Sequence, residues 1–151
     1  MPFEITRVGT PADLAAALAV RTRVFVEEQH VPVEEEIDHH DAEPWTRSDV
    51  LHVIGRLDGT VIATARLLLE THDGGYPHIG RVAVLAEHRG HGYGRALMRA
   101  LQDEARALGF LGVTLAAQTH AVPFYEGLGY VARGPVYLDA GIEHRDMDIL
   151  L

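Results

Sequence analysis

The sequence contains no cysteine and no lysine. Without cysteine, a disulfide framework, a thiolate zinc site, an iron–sulfur cluster and a cysteine nucleophile are excluded. A P-loop is excluded too, because that motif needs a lysine after its last glycine. The N-terminus, MPFEITRVGT, lacks a basic stretch followed by an apolar one, so no signal peptide is expected. Together with the missing thiols, this favours a cytoplasmic protein.

Positive charge is scarce, and long apolar runs are lacking. Thirteen basic residues, all arginine, face 22 acidic ones, for a formal net charge of −9 at pH 7. A nucleic-acid partner is not expected, because no basic stripe is present. The acidic balance instead favours cationic ligands such as amines. The longest uncharged run, 107–125, is interrupted by Gly109, Gly112 and Pro123, so a membrane span is not predicted either.

The composition predicts one globular domain over 1–151, with 47% hydrophobic and 23% charged residues. Periodicity, caps and turn signals divide this domain into strands and helices. The predicted strands are 3–8, 50–57, 61–69, 78–85, 112–117, 130–136 and 145–150, and the predicted helices are 11–28, 92–108 and 120–128. This order indicates a mixed α/β fold with a mostly antiparallel central sheet, flanking helices and one β-α-β unit near the end.

An acidic segment separates the first helix from the second strand, with no basic residue between Arg23 and Arg47. Its carboxylates are Glu27, Glu28, Glu34, Glu35, Glu36, Asp38, Asp41 and Glu43. We expect a long loop with at most a short helical turn. Loops of this length in a compact domain are usually functional or mobile.

A glycine-rich segment follows a Val-Ala-Val strand and opens a helix, reading Arg-Gly-His-Gly-Tyr-Gly-Arg over 89–95. Glycines let the backbone approach a ligand, and the unpaired N–H groups of a helix's first turn attract anions such as phosphates. Arg89 and Arg95 add positive charge. The spacing does not fit a dinucleotide fingerprint. A helix-capping turn would need only one such glycine.

This loop, with its Arg-x-x-Gly-x-Gly pattern, closely resembles the acyl-CoA loop of the GNAT (general N-acetyltransferase) superfamily. The segment 124–130, Phe-Tyr-Glu-Gly-Leu-Gly-Tyr, resembles that family's Phe-Tyr-x-x-x-Gly-Tyr/Phe segment. Residues 24–29 with 36–38, and Gly141-Ile142 through His144 and Met147, resemble the ElaA-like branch. The resemblance covers nearly the whole chain and implies a GNAT-like acyl-CoA N-acyltransferase fold.

The resemblance also implies roles for matching residues. A strand edge would pair with the pantetheine arm, and a backbone N–H there would polarise the thioester carbonyl; its residues are Val82, Ala83 and Val84. The loop would cradle the pyrophosphate through Arg89, Gly90, His91, Gly92, Tyr93, Gly94 and Arg95. Gln118 stands where the family commonly has an asparagine that binds pantetheine. Tyr125 matches the family's general acid, and a phenol of pKa ~10 suits protonation of a thiolate. The alternative is that Tyr125 is simply a packed aromatic.

The general base is less clearly indicated. An ammonium must lose a proton before it attacks, and a carboxylate or histidine could accept that proton directly or through water. The candidates are Glu28, Glu36, Asp38, His40, Asp41 and Glu70. We favour Glu28 and Asp38, because both lie in segments that resemble the branch. The alternative is that these carboxylates belong to a solvated charged loop.

Ten histidines raise the question of a metal site. His39-His40-Asp41 is compact, and His72-Asp73 and His78 flank another loop. Adjacent histidines on an extended chain point to opposite sides, however, and no His-Glu-x-x-His motif is present. We therefore expect no bound metal.

These observations predict an acetyl-CoA-dependent N-acetyltransferase in which a primary amine attacks the thioester directly. One alternative is a non-catalytic acyl-CoA-binding or sensing module, because fold does not fix activity. Another is a metal-dependent hydrolase built on the histidines. The identity of the acceptor, a small-molecule or peptide amine, stays open, as does acetyl against a longer acyl group. The oligomeric state also stays open; a homodimer is the commonest small assembly.

Overall fold

The computed structural model describes residues 2–71 and 75–151. Within them, seven strands form one sheet in the order β1-β2-β3-β4-β5-β7-β6. The strands are β1 (Phe3–Arg7), β2 (Val50–Leu57), β3 (Thr60–Leu68), β4 (His78–Val84), β5 (Gly112–Gln118), β6 (Val131–Asp139) and β7 (Ile142–Leu150). All neighbouring strands run antiparallel except β4 and β5, which are parallel. The predicted mixed α/β fold with a mostly antiparallel sheet is confirmed.

Four helices accompany the sheet: α1 (Pro11–Arg21), α2 (Val33–Glu36), α3 (Tyr93–Ala107) and α4 (Val122–Gly127). The Thr10 hydroxyl caps α1 by accepting a hydrogen bond from the Asp13 N–H at 3.1 Å. Beyond α1 the chain continues as a π-helical segment, Thr22–Glu28. The predicted helix 11–28 is therefore correct in extent, although the wider turn was not foreseen. None of the helices in the described ranges is long and apolar enough to cross a membrane.

The core lies between α3 and the sheet. One face of α3 buries Leu97, Met98, Leu101 and Ala105 completely. These side chains belong to a cluster with buried sheet residues such as Ile62, Leu67, Leu115 and Met147. This packing fixes the N-terminus of α3 beside the end of β4, which positions the glycine-rich loop.

Two hairpins have different sequence signals. Asp58 and Gly59 connect β2 to β3 with φ of 51° and 81°, as the predicted Asp-Gly turn requires. Ala140 and Gly141 connect β6 to β7 with φ of 52° and 75°. The predicted strands 130–136 and 145–150 were too short here, because alanine rarely adopts a left-handed conformation and gives no turn signal.

The acidic segment is more ordered than predicted. It contains α2 and two single 3-10 turns, His39–Asp41 and Pro44–Thr46. Glu36 and Asp41 are only 3% and 5% exposed. The expectation of a long loop is thus corrected, since two of its carboxylates are buried and anchored.

Arginines from two other elements anchor these carboxylates. Arg21 of α1, 1% exposed, donates to Glu36 Oε1 at 2.8 Å and to both carboxylate oxygens of Asp41 at 2.6 and 3.0 Å. Arg66 of β3 donates to both oxygens of Asp38 at 2.8 and 2.7 Å. Burial acts to raise the pKa of Asp41, but the hydrogen bond and charge of Arg21 outweigh it and hold that pKa below its usual range.

Arg81 of β4 completes this group. Its Nη2 donates to the backbone carbonyl of Glu36 at 3.0 Å, and its Nε lies 3.1 Å from Glu36 Oε1. We call the six side chains the charge cluster: Arg21, Arg66, Arg81, Glu36, Asp38 and Asp41. Nearby His52 adds no charge, because burial lowers its pKa. Three positive charges therefore balance three negative ones.

Replacing Arg21 tests how strongly the cluster supports the fold. Arg21→Met should lower the free energy of unfolding by about 3 kcal/mol or more, since it removes three hydrogen bonds to the buried carboxylates of Glu36 and Asp41 and leaves the cluster with excess negative charge. Arg23→Met is the matched control, because Arg23 pairs with Glu87 where both side chains are about half exposed (51% and 49%). That change should cost less than about 1 kcal/mol. Urea unfolding measures both; equal losses would contradict the role given to the cluster.

Candidate active site

The two parallel strands of the sheet separate soon after they pair. β4 and β5 are in register only at His78 with Thr114 and at Ile79 with Leu115. On its other edge β4 stays paired with β3, but the register shifts beside Arg81, whose φ is 52°. Such a bulge bends a strand and increases its twist. Within the described residues, the edge of β4 that faces β5 therefore has no strand partner from Gly80 to Val84.

A cleft of about 850 Å³ occupies this gap. Its walls come from the π-helical segment, β4, β5, α4 and the β6–β7 hairpin. Six residues predicted to bind the cofactor or to act as the general acid line it: Val82, Ala83, Val84, Arg89, Gln118 and Tyr125. Glu36, one of the candidate bases, lines it as well. The tertiary structure thus brings together residues that are up to 89 positions apart, from 36 to 125.

The glycine-rich loop lies at the N-terminus of α3, next to the cleft. Gly90 and Gly92 have φ of 85° and 83°, which strains any residue with a Cβ, although a Cβ there would meet no atom within 4 Å. At Gly94 a Cβ would lie 3.4 Å from the Phe124 ring, which is an ordinary van der Waals contact. The loop is therefore an open backbone surface at a helix N-terminus.

The side chains of this loop face different surroundings. His91 and Arg95 are exposed. The Tyr93 ring instead stacks on Phe3, with centroids 4.3 Å apart. His91 and Arg95 can therefore offer their side chains to a ligand at the loop, whereas the Tyr93 ring is engaged by Phe3.

Arg89 links the loop to two other elements. Its Nε donates to the Val84 carbonyl at 2.9 Å, and its guanidinium lies 3.0 Å from both carboxylate oxygens of Glu28. Glu28 does not line the cleft. The structure thus places this predicted base in an ion pair with a predicted phosphate ligand.

Asp38, the other favoured base, belongs to the charge cluster and does not line the cleft. It also accepts a hydrogen bond from the His40 N–H at 3.0 Å. Burial acts to raise the pKa of Asp38, but the hydrogen bonds and charge of Arg66 outweigh it and hold the pKa far below its usual range. A carboxylate that binds a proton so weakly is poorly suited to accept one from an amine.

Tyr125 of α4 places a protonated phenol in the cleft. Its ring meets Phe124 and Tyr130 edge-on, at centroid distances of 5.0 and 5.8 Å. Burial raises the pKa of Tyr125 to about 12. None of the side chains or backbone groups that the structure describes accepts a hydrogen bond from its hydroxyl. The hydroxyl therefore keeps its proton at neutral pH and can give it to a bound molecule.

Gln118, at the end of β5, forms a reciprocal amide pair with Gln29, which follows the π-helical segment. Gln118 Nε2 donates to Gln29 Oε1 at 2.7 Å, and Gln29 Nε2 donates back at 3.1 Å. The pair connects two walls of the cleft. If Gln118 contacts pantetheine, its side-chain amide would bond both pantetheine and Gln29.

Comparison with known proteins agrees with this geometry. The model of the Acetyltransferase (GNAT) family matches residues 17–130, well over half of the chain. The chain belongs to this acetyltransferase family. It is 39% identical over 135 residues to the uncharacterized N-acetyltransferase YjcF of Bacillus subtilis, covering 89% of this chain and 90% of YjcF.

Two further relatives extend the GNAT assignment. Protein ElaA of Escherichia coli is 34% identical over 137 residues, 90% of this chain and 86% of ElaA. The ElaA crystal structure superimposes with a TM-score of 0.84, covering 97% of this chain and 99% of that one. An acyl-CoA N-acyltransferase from Pseudomonas aeruginosa reaches 0.82 at 36% identity, covering 97% and 99%. The resemblance to the ElaA-like branch is confirmed.

The polar residues that line the cleft include Arg66, Arg81 and His144, for which the sequence predicted no chemical role. Arg66 is the single charged residue of the apolar run 61–69. A charge inside such a strand indicates a buried ionic partner, because arginine is almost never fully buried unpaired. The position of Arg66 in this run could therefore have predicted its ion pairs from the sequence. For His144, no pattern within the sequence shows that it lies opposite Gln118 on the next strand.

One trio within the described residues could offer metal ligands: His40, Asp49 and Glu70, with ligand atoms within 4.8 Å of one another. Arg47 already donates to both carboxylate oxygens of Asp49, at 2.8 and 2.6 Å. His72-Asp73 lies outside the described residues. The absence of a bound metal stays a prediction.

Proposed function

We propose that this single-domain protein transfers an acetyl group from acetyl-CoA to a primary amine by direct attack of the amine on the thioester. The observation that carries the proposal is the unpaired edge of β4, which runs along a cleft with the glycine-rich loop at one end and Tyr125 in its wall. An extended chain that carries amides can add to such an edge as an extra strand. The acyl-pantetheine arm of acetyl-CoA has this chemistry, and the name of the Pseudomonas relative points to the same class of donor.

The chain's own groups then divide the work along the cleft. Backbone N–H groups at Val82–Val84 would pair with the arm, and one of them would stabilise the oxyanion as the amine attacks. The open N–H groups at the start of α3 and the helix dipole would hold the pyrophosphate. Arg89 and Arg95 would add charge-assisted hydrogen bonds.

Tyr125 would complete the reaction. The new C–N bond forms as the amine attacks, the C–S bond then breaks, and the sulfur takes the phenolic proton. Solvent returns a proton to the phenolate. The raised pKa, about 12, ensures that the proton is present at the start of each cycle.

The non-catalytic acyl-CoA-binding module is the competing function. Incubation of the purified protein with excess acetyl-CoA and a panel of small-molecule and peptide amines distinguishes the two through release of free CoA. We expect amine-dependent turnover. Tight acetyl-CoA binding without turnover on any amine would favour the binding module instead.

The missing cysteines fit a role in the cytoplasm, where thiols stay reduced.

A change in the glycine-rich loop tests cofactor binding. Gly92→Glu should weaken acetyl-CoA binding at least about tenfold, or 1.4 kcal/mol, because it puts a negative charge beside the pyrophosphate. Gly109→Glu is the matched control: Gly109 also has a positive φ, 89°, with open space around it, but lies after the opposite end of α3. Calorimetric titration should show parental affinity for the control. Unchanged affinity in a folded Gly92→Glu protein would contradict the proposed loop.

Replacing Tyr125 tests the general acid. Tyr125→Phe should lower kcat about tenfold or more, since general acid catalysis contributes about 10²–10⁴-fold, while acetyl-CoA affinity stays within about threefold. The loss should be constant from pH 7 to 10, because a phenol with a pKa of about 12 stays protonated over this range. Tyr130→Phe is the control; its hydroxyl donates to Gln102 at 2.8 Å. A Tyr125→Phe enzyme with the parental rate would show that this ring only packs.

A further inference from the structure

We propose that His144 is the general base, and that its Nε2 accepts the proton that the acceptor amine loses on attack. This inference rests on the proposed acetyl transfer and assigns a step that neither Glu28 nor Asp38 is placed to perform. His144 lies on β7 between Gln118 of β5 and Tyr137 of β6 in the strand register. It lines the cleft and is 9% exposed.

A backbone hydrogen bond selects the tautomer of His144. Its Nδ1 lies 2.7 Å from the carbonyl oxygen of Ile142. A carbonyl oxygen can only accept, so Nδ1 must carry the hydrogen, and the lone pair of the neutral ring is on Nε2. No group in the described ranges donates to Nε2, and this atom is not sealed from solvent. The ring therefore presents an unused acceptor from a wall of the cleft.

A second contact fixes the orientation of the ring. The Tyr137 ring stacks on it, with centroids 6.0 Å apart and planes 20° apart, and the Tyr137 hydroxyl donates to Asp146 at 2.6 Å. The imidazole is thus held by a hydrogen bond on one nitrogen and by a ring face. A base that a further group orients in this way is the usual arrangement for proton transfer in enzymes.

Other titratable groups near the cleft are less well placed. His78 and His120 line it, but both are exposed and neither ring forms a hydrogen bond within the described parts of the chain. The exposed carboxylates of Glu35 and Asp139 lie at its edge. The other charged or titratable residues on His144's own strand and on β6 are Glu143, Arg145, Asp146 and Asp148 on β7, and Arg133, Tyr137 and Asp139 on β6. Tyr125 of α4 lines the same cleft.

The step balances without a further reactant. The nitrogen lone pair of the amine forms the C–N bond, and the N–H proton moves to Nε2, giving an imidazolium. The C–S bond breaks, and the thiolate takes the proton of Tyr125. The imidazolium then loses its proton to solvent, and solvent returns a proton to the Tyr125 phenolate.

His144→Asn is the sharpest test, because an asparagine Nδ2 can replace Nδ1 as the donor to Ile142 while Nε2 is lost. We expect kcat/KM for the best amine to fall about 10²-fold. Acetyl-CoA affinity should stay within about twofold of the parent. His39→Asn is the control, because His39 is exposed and lies outside the cleft, and this variant should keep the parental rate. A loss with His120→Asn in place of His144→Asn would overturn the proposal.

The failures can be told apart. A parental protein that acetylates no amine overturns the proposed function and this inference with it. An active parent with an equally active His144→Asn variant overturns the inference alone. NMR of the imidazole nitrogens tests the tautomer of His144 in the parental protein, so it does not depend on whether a variant folds. At pH 8 it should show His144 with its hydrogen on Nδ1, and a hydrogen on Nε2 would refute the assignment.

Discussion

A balanced cluster of three arginines and three carboxylates, four of them buried, holds the acidic segment against the sheet. Arg21 comes from α1, Arg66 from β3 and Arg81 from β4, and all three converge on the acidic segment. A buried charge is tolerated only when it has a partner, so the loss of one side chain of the cluster destabilises the others. Because of this, a segment that looks like a solvated loop is packed against the sheet.

The charge cluster also shapes the cleft. Arg81 has a left-handed backbone at the bulge where β4 leaves β5, and its guanidinium lies against Glu36. A left-handed arginine costs about 1 kcal/mol or more and persists only where its surroundings determine it. The interaction that fastens the acidic segment thus also holds the strand in the conformation that opens the gap. Arg81 therefore contributes both to the stability of the fold and to the shape of the cleft.

Two different physical devices prepare the groups that would move protons. Burial between aromatic rings keeps the Tyr125 phenol protonated. At His144, a backbone carbonyl fixes the hydrogen on one nitrogen and leaves the other as an acceptor. The two residues sit on α4 and β7, on separate walls of the cleft. The carboxylates of Glu28 and Asp38, by contrast, are held by Arg89 and Arg66.

The sequence by itself determined the fold class, the glycine-rich loop and the tyrosine segment, because periodicity, caps and turn residues are local signals. It predicted the helix through residue 28, the Asp58-Gly59 hairpin and six residues of the cleft. Only the tertiary structure decided which polar groups meet. In the structure Glu36 and Asp41 are buried, Asp38 lies outside the cleft, and His144 lines the cleft. Ion pairing and strand register join residues far apart in the chain, and no local pattern specifies such partners.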